Sequence, residues 1–388
     1  MSNRWQVLAL LFGVRMTMAF QFQAVAALSP FIMKEYGFGI ADIGLLIGLY
    51  FAPGVVIAYP GGELGKRFGE KRVVLWGLLM MMAGGLMVLA SASWEIQIAG
   101  RLLAGVGGVL LNVLMTKMLT DWFAGREIAT AMGIFVNSWP FGIALALLLL
   151  PALAAAASLT IALLGVVCLV AAGFAALAFA YQPAPKADAG PAASQASRLG
   201  GAPLAGIVCA GLIWGLYNAA LGMIFGFAPA MLAEKGWTAT AASSVTSIVL
   251  WLVAVSVPLG GILADRVGRN DAVLATGLLL FGIALFAAAR TELVFLSFVL
   301  LGAVAGISAG PIMSLPSRIL APANRATGMG IFYSIYYLVV VLGPLVAGRM
   351  AEATGHISIA FDLGTAMLGA SAALLLGFRH LSRISATT

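Results

Sequence analysis

Length, composition and charge place this chain in the lipid bilayer. Of its 388 residues, 62% are apolar and only 9% are charged, whereas a soluble domain carries about a quarter charged residues. This composition excludes an ordinary soluble enzyme or binding module. In a soluble protein the net charge of +7 would suggest nucleic-acid binding. Here the basic residues lie mostly in one set of loops, which membrane orientation explains better, so we predict no nucleic-acid partner.

Twelve apolar runs follow one another along the chain. Each is continuous and about twenty residues long, the length of a spanning helix, whereas the strands of a membrane barrel alternate over runs of about ten. Only helices and closed barrels satisfy every backbone group in hydrocarbon, so the runs predict an all-α membrane protein. The predicted spans lie at about 5–31, 41–62, 73–92, 95–119, 127–150, 158–181, 204–233, 240–263, 272–290, 292–320, 327–351 and 358–379.

Two motifs recur about 199 residues apart, close to half the chain. The stretch GGELGKRFGEKR at 61–72 has a counterpart in GGILADRVGRN at 260–270, and ATAMGIF at 129–135 returns as ATGMGIF at 326–332. Because two different motifs agree on the offset, they predict two pseudo-symmetric six-helix bundles.

The two bundles are predicted at 1–181 and 204–388. Between them, 182–203 is rich in Pro, Ala, Gly and Ser, a linker composition without an apolar face. Basic residues favour one orientation, because with both termini in the cytoplasm the outer loops hold only four of the 21 Lys and Arg. We expect a monomeric, multi-pass protein of the cytoplasmic (inner) membrane.

These features resemble the major facilitator superfamily. Like its members, the chain has two six-span halves, a central linker and a G-x-L-A-D-R-x-G-R-type stretch after spans two and eight. The second copy, at 261–269, follows that pattern, whereas the first has Lys66 where the family has Asp. Arg101, Gly105 and Gly107 match the family's fourth-span Arg-x-x-x-Gly-x-Gly pattern.

Two shorter stretches resemble particular branches of that family. Asp-Trp-Phe at 121–123, followed by Arg126 and Glu127, is similar to a loop of its anion-carrying branches. Asn112 with 137–140 resembles the cyanate and nitroimidazole transporter-like branch. The resemblance implies transport by alternating access, through a cavity lined mainly by spans one, four, seven and ten.

Arg15 is the first candidate binding residue. It lies about ten residues, or roughly 15 Å, into span one, close to the middle of a hydrocarbon core about 30 Å thick. All fourteen acids lie in loops or near span ends, so Arg15 needs backbone carbonyls, water or an anionic ligand. Substrate contact and a structural role are both open interpretations, and we expect the former.

Arg101 is the second candidate. It lies about six residues from the outer end of span four, where the side chain could also reach the interface or a rim acid. Together with Gly105, Gly108 and Asn112 it follows one helical face. That face suits a water-lined cavity, with Arg101 in a ligand or gating role, but small residues also serve close helix packing.

Span seven offers no matching arginine, and instead carries aromatic and amide side chains. Aromatic residues at helical spacing also serve packing, and further polar groups lie at 137–139 and 333–337. The resemblance favours the four spans expected to line the cavity over those two groups. The predicted substrate-binding residues are therefore Arg15, Arg101, Asn112, Trp214, Tyr217 and Asn218.

The two glycine-rich stretches match no Walker A pattern and predict a cytoplasmic latch that opens when the halves rock. Asp265 can accept hydrogen bonds from helix N-terminal amides. Lys66 cannot, so the first copy must use Glu63, Glu70 or nothing, and we expect the two copies to contribute unequally. The predicted latch residues are Gly62, Lys66, Arg67, Gly261, Asp265, Arg266, Gly268 and Arg269.

The residues predict a secondary transporter of a small anion, a carboxylate or oxyanion, whose desolvation Arg15 and Arg101 would offset. The lack of an acid at the midplane argues against cationic drugs as substrates. It leaves open whether transport is coupled to a proton or to a counter-anion. The alternative is efflux of neutral or aromatic molecules, and a non-transporting sensor is disfavoured by the short loops. No nucleophile–base pair, cofactor motif or metal-ligand cluster is present, so we predict no enzyme activity, no cofactor and no metal.

Overall fold

The computed structural model describes residues 3–184, 199–237 and 239–387. All regular structure in these residues is helical, which confirms the predicted all-α fold. The α-helices, labelled α1 to α16 in chain order, are Arg4–Ala27, Ser29–Tyr36, Ile40–Leu49, Gly54–Phe68, Glu70–Ala90, Trp94–Phe123, Ile128–Val136, Ser138–Ala156, Leu159–Ala180, Gly201–Glu234, Ala239–Val267, Asn270–Arg290, Val294–Ala305, Ala309–Ile319, Arg325–Thr354 and Ile359–Thr387. The described residues also contain two 3-10 turns, Gly306–Ser308 and Pro322–Asn324.

Within the described residues, twelve helical segments are long and apolar enough to cross a membrane, which confirms the predicted number. Numbered span 1 to span 12, they are Arg4–Ala27, Asp42–Phe68, Glu70–Ala90, Trp94–Phe123, Ile128–Ala156, Leu159–Ala180, Gly201–Glu234, Ser244–Val267, Asn270–Arg290, Val294–Ile319, Pro322–Thr354 and Ile359–Ile384. Spans 2, 5 and 10 are each built from two α-helices, α3 and α4, α7 and α8, and α13 and α14.

Spans 1, 4, 7 and 10 are the inner helices. At least 61% of the residues in their most apolar stretches are buried, against at most 44% in the other eight spans. A helix that is apolar on all sides is suited to the core or to lipid contact. The difference in burial therefore separates helices that pack mainly against protein from helices whose outer faces meet lipid.

Glycine allows spans 3 and 4 to approach closely. A Cβ added to Gly77 would lie 2.7 Å from the carbonyl oxygen of Gly107, and one added to Gly100 would lie 2.8 Å from that of Gly84. Small residues at such contacts let helix backbones touch, and van der Waals packing of this kind holds helices together in lipid. This contact fixes the position of span 4, which carries two of the predicted binding residues.

Contacts divide the chain into two units. Unit 1 comprises Met1–Phe123, Phe135–Ala196 and Pro322–Ser334, and unit 2 comprises Ala124–Ile134, Ser197–Ala321 and Ile335–Thr388. The beginning of span 5 belongs to unit 2, and the beginning of span 11 belongs to unit 1. Most of the predicted linker, 185–198, lies outside the described residues.

The predicted ends of spans 2 and 8, near 62 and 263, are wrong. Helix α4 runs to Phe68 and ends at Gly69, with φ 86°, and helix α11 runs to Val267 and ends at Gly268, with φ 67°. Glycine adopts this left-handed region without steric cost, so the chain turns at these two residues. The earlier glycines of each stretch lie within the helices.

Candidate functional site

Arg15 lies halfway along span 1 and is only 6% exposed. Its Nε donates to Oδ1 of Asn112 at 3.1 Å, and its Nη1 donates to Oγ of Ser138 at 3.0 Å. Nη1 also donates to the carbonyl oxygens of Phe135 and Val136, at 3.2 and 3.1 Å. The guanidinium lies 4.9 Å from the ring centroid of Phe135. A positive charge in the interior of unit 1 thus donates to an amide, a hydroxyl and two backbone carbonyls.

A break in span 5 supplies most of these acceptors. Helix α7 ends at Val136 and α8 begins at Ser138, and the last carbonyls of a helix have no intrahelical donor. The sequence signal for the break is Pro140, because proline is tolerated in the first turn of a helix but not in its interior. Irregular backbone at membrane depth is tolerated where protein groups satisfy it, as Arg15 does here.

A chain of hydrogen bonds extends the site from Asn112 to span 11. Thr116 donates its hydroxyl to the carbonyl of Asn112 at 2.7 Å, so its 2.8 Å contact with Tyr333 is donated by the tyrosine. Tyr333 is 1% exposed. The predicted binding residues come only from spans 1, 4 and 7, yet Ser138 of span 5 and Tyr333 of span 11 both belong to the surroundings of Arg15.

Arg101 is held differently, because within the described residues all of its hydrogen bonds go to backbone carbonyls, and its guanidinium also lies 4.7 Å from the ring centroid of Tyr50. It is 2% exposed, and its Nε, Nη1 and Nη2 donate to the carbonyls of Leu46, Gln21 and Phe22 at 2.9, 3.2 and 3.1 Å. In a continuous helix the amide of Tyr50 would donate to the carbonyl of Leu46. Because span 2 breaks after α3, that amide donates to the carbonyl of Ile47 instead, and the Leu46 carbonyl is left for Arg101. Arg101 therefore ties spans 1, 2 and 4 together.

The three candidates from span 7 lie in unit 2. The ring of Trp214 stacks with those of Tyr217 and Tyr336, at centroid distances of 5.5 and 6.1 Å, and its carbonyl accepts from Asn218 Nδ2 at 2.8 Å. Tyr217 Oη donates to the carbonyl of Ala305 at 2.8 Å, at the break in span 10. The structure thus brings Asn112 to Arg15 and joins the span 7 residues to one another.

The second glycine-rich stretch contacts the beginning of span 5 inside unit 2. Oδ2 of Asp265 accepts from the backbone amide of Thr130 at 2.7 Å, near the N-terminus of α7, where amides lack intrahelical acceptors. A Cβ added to Gly261 would lie 2.9 Å from the carbonyl carbon of Ala129. The close approach needs glycine, and the carboxylate at 265 is a stronger acceptor for this amide than a neutral side chain would be.

The first stretch makes a corresponding contact in unit 1 with a different acid. Glu63, one helical turn before Lys66, accepts from the hydroxyl of Thr327, and Asp121 pairs with Arg325 at 2.7 Å. Both partners lie at the beginning of span 11. Five of the predicted latch residues are exposed: Lys66, Arg67, Arg266, Gly268 and Arg269.

The fold is similar to that of known transporters. It matches the crystal structure of the E. coli fucose:proton symporter FucP in the outward conformation, with a TM-score of 0.80 and 16% identity over 96% of this chain and 98% of that one. The chain is 24% identical over 154 residues to the choline/ethanolamine transporter FLVCR2 of Homo sapiens and 25% identical over 124 residues to the hexuronate transporter of Bacillus subtilis. These alignments cover 39% and 31% of this chain but only 29% and 28% of the two relatives.

The family match extends over both halves. The sequence model of the Major Facilitator Superfamily matches residues 11–222 and 204–386. Twelve spans, four inner helices and two related glycine-rich stretches at the ends of spans 2 and 8 agree with that match. The chain therefore belongs to the Major Facilitator Superfamily.

Proposed function

We propose that this protein is a secondary transporter that carries a small anion, a carboxylate or an oxyanion, by alternating access, and that Arg15 binds it. The observation that carries the proposal is the buried guanidinium halfway along span 1, which an amide, a hydroxyl and two backbone carbonyls hold in place. An arriving anion would add Coulomb attraction to these hydrogen bonds.

The energetics favour an anion over a neutral solute at this position. An arginine at the centre of a span costs about 2.5 to 3.5 kcal/mol on insertion scales, and neutral hydrogen bonds offset part of that cost. A carboxylate or oxyanion adds more, because the planar guanidinium binds such groups through two parallel, charge-assisted bonds. The same pairing offsets the desolvation of the anion itself.

Two further polar atoms near this site suggest what else the solute carries. Oδ1 of Asn137 and Oγ of Ser334 are buried and have no hydrogen-bond partner within the described residues. Asn137 adjoins Ser138 at the span 5 break, and Ser334 follows Tyr333. Buried polar atoms are nearly always paired, so an anion with a donor such as a hydroxyl suits this lining.

The relatives support transport but leave the charge of the solute open. Hexuronate is anionic, choline is cationic and fucose is uncharged, and these are the substrates in the names of the similar proteins. The anion proposal rests on Arg15 and its neighbours.

A binding screen tests the proposal. Purified protein is mixed with small mono- and dicarboxylates, hydroxycarboxylates, inorganic oxyanions and aromatic neutrals, and its melting temperature is measured. The screen is repeated on Arg15→Gln and on Arg349→Gln, which removes an exposed arginine near the end of span 11. We expect at least one anion to stabilise the wild type and Arg349→Gln, and to have no effect on Arg15→Gln.

Either of two results would reject an anion site at Arg15. One is stabilisation by anions that survives in Arg15→Gln with the same half-saturating concentration. The other is a set of stabilising compounds that contains only neutrals and is unchanged in the variant.

Efflux of neutral aromatic molecules is the second candidate, and the stack of Trp214, Tyr217 and Tyr336 favours it. The aromatic ring of a neutral solute could pack against these side chains. This candidate predicts stabilisation by aromatic neutrals that Trp214→Ala abolishes and Arg15→Gln leaves intact.

The distribution of Lys and Arg supports placing both termini in the cytoplasm; a monomer in the inner membrane is part of the proposal. The described acidic residues lie at or near helix ends. A coupling proton would therefore enter with the anion itself, and exchange against a counter-anion would need no proton carrier.

A further inference from the structure

Unit 2 contains a cavity of about 610 Å³ where the ends of spans 8, 9, 10 and 12 meet. Its charged lining comes from separate parts of the chain. The charged residues are Asp265, Arg269, Asp271, Arg318 and Arg379. A smaller cavity of about 290 Å³ shares Arg379 and adds Leu376, His380 and Arg383.

Positive charge exceeds negative charge in this cavity, and the ion pairs are incomplete. Asp271 accepts from both terminal nitrogens of Arg318 and lies 3.3 Å from Nε of Arg379, whose side chain is 46% exposed. Asp265 already accepts from the amide of Thr130. The side chain of Arg269 makes no hydrogen bond or ion pair within the described residues, so its guanidinium is available to a ligand.

The cavity also borders apolar surface. Ala272 and Ala275 lie in its wall, Leu376 of the adjoining cavity is 67% exposed, and Val267 is 51% exposed. Exposed apolar side chains on a spanning helix face lipid tails. The site therefore lies where a charged group and an acyl chain would meet.

We propose that this cavity binds a phosphate group between Arg269 and Arg379. Arginine forks match phosphate oxygens in two-bond geometry, and the weak contact of Arg379 with Asp271 can be exchanged for a stronger one with phosphate. The apolar border suits the headgroup of an anionic lipid, and a free phosphate compound has the same chemistry. Under the predicted orientation the lipid would belong to the cytoplasmic leaflet, where anionic headgroups attract clustered basic residues. This site is independent of the anion site proposed at Arg15.

The test uses the full-length protein purified in a neutral detergent. Its melting temperature is measured against dioleoylphosphatidylglycerol, dioleoylphosphatidylcholine, inorganic phosphate and glycerol 3-phosphate. Two variants, Arg269→Gln and Arg379→Gln, remove exposed or half-exposed charges and leave the Arg318–Asp271 pair in place. Arg349→Gln is the charge-matched control at a different position in unit 2.

We expect phosphatidylglycerol to raise the melting temperature of the wild type and the control by several degrees, and phosphatidylcholine to have little effect. The half-saturating concentration should rise at least tenfold in Arg269→Gln and in Arg379→Gln. Equal stabilisation by inorganic phosphate or glycerol 3-phosphate would uphold the site and identify a free phosphate as its ligand. An equal response of all variants, an equal effect of phosphatidylcholine, or no response to any of the four compounds would overturn it.

Discussion

At the scale of single residues, the two arginines inside the spans differ in what they bind. Every nitrogen of the Arg101 guanidinium donates to a backbone carbonyl, a set of bonds typical of a structural clamp. Arg15 bonds to two side chains as well as to carbonyls, and side chains can rearrange around a solute. The sequence places both arginines at depth, but it contains no signal for their acceptors, because a carbonyl belongs to every residue.

Arg101→Gln should destabilise the protein. It removes three buried donors, and each carbonyl left without a partner costs about 1 to 3 kcal/mol, so we expect a loss of several kcal/mol in total and a clearly lower melting temperature. Thermal unfolding of the purified variant measures this. A variant that melts like the wild type but has lost its response to anions would show instead that Arg101 is a ligand.

Asn112→Asp should abolish anion binding without unfolding the protein. The new carboxylate would lie where an oxygen is already 3.1 Å from Nε of Arg15, and it would neutralise the guanidinium as an internal counter-ion. We expect an unchanged or higher melting temperature and at least a tenfold weaker response to the anions that stabilise the wild type. Retained anion affinity would show that Arg15 is not the binding group.

At the scale of elements, three broken spans are completed by side chains from inner spans. The breaks in spans 5, 2 and 10 present carbonyls to Arg15 of span 1, Arg101 of span 4 and Tyr217 of span 7. In span 10 the amide of Ala309 donates to the carbonyl of Gly306 instead of that of Ala305. The Ala305 carbonyl therefore accepts from Tyr217. Polar residues on the inner spans thus satisfy backbone groups that the bilayer cannot.

Asp265→Asn should loosen the beginning of span 5. A neutral amide is a weaker acceptor than a carboxylate for the Thr130 amide, so hydrogen exchange at that amide should be about tenfold faster. Lys66→Asn is the matched change in the other copy, and since Lys66 is exposed it should leave exchange at 322–334 unchanged. Equal effects of the two substitutions on their respective segments would contradict the unequal latch that we infer.

Gly107→Val should disrupt the contact between spans 3 and 4. The added Cβ would lie 2.9 Å from Cγ of Met81 and would meet the Gly77 carbonyl, an overlap that we expect to cost about 1 to 3 kcal/mol or more. Gly222 of span 7 has nothing within 4 Å of an added Cβ, so Gly222→Val should change stability by less than about 1 kcal/mol. Comparable losses of melting temperature in the two variants would exclude close packing as the role of Gly107.

At the scale of the whole molecule, the sequence predicts the architecture better than the site. Apolar run length specifies twelve spans, and the repeated glycine-rich stretches indicate the family. A proline lies at each of the three breaks, Pro53 in span 2, Pro140 in span 5 and Pro311 in span 10, but nothing in the sequence indicates which side chains bond to the carbonyls exposed there. For the acid of the first glycine-rich stretch, the sequence left Glu63, Glu70 or neither. The contact of Glu63 with Thr327 depends on how span 11 packs, which the local sequence does not indicate.

Transport of an anion through a site at Arg15 is the central claim, and flux measures it most directly. Protein reconstituted into liposomes is supplied with the labelled anion that stabilises it best, and initial uptake is compared for wild type, Arg15→Gln and Arg349→Gln. The account predicts saturable uptake by the wild type and Arg349→Gln, and uptake at the level of empty liposomes for Arg15→Gln. Uptake of the same anion by Arg15→Gln at the wild-type rate would contradict it.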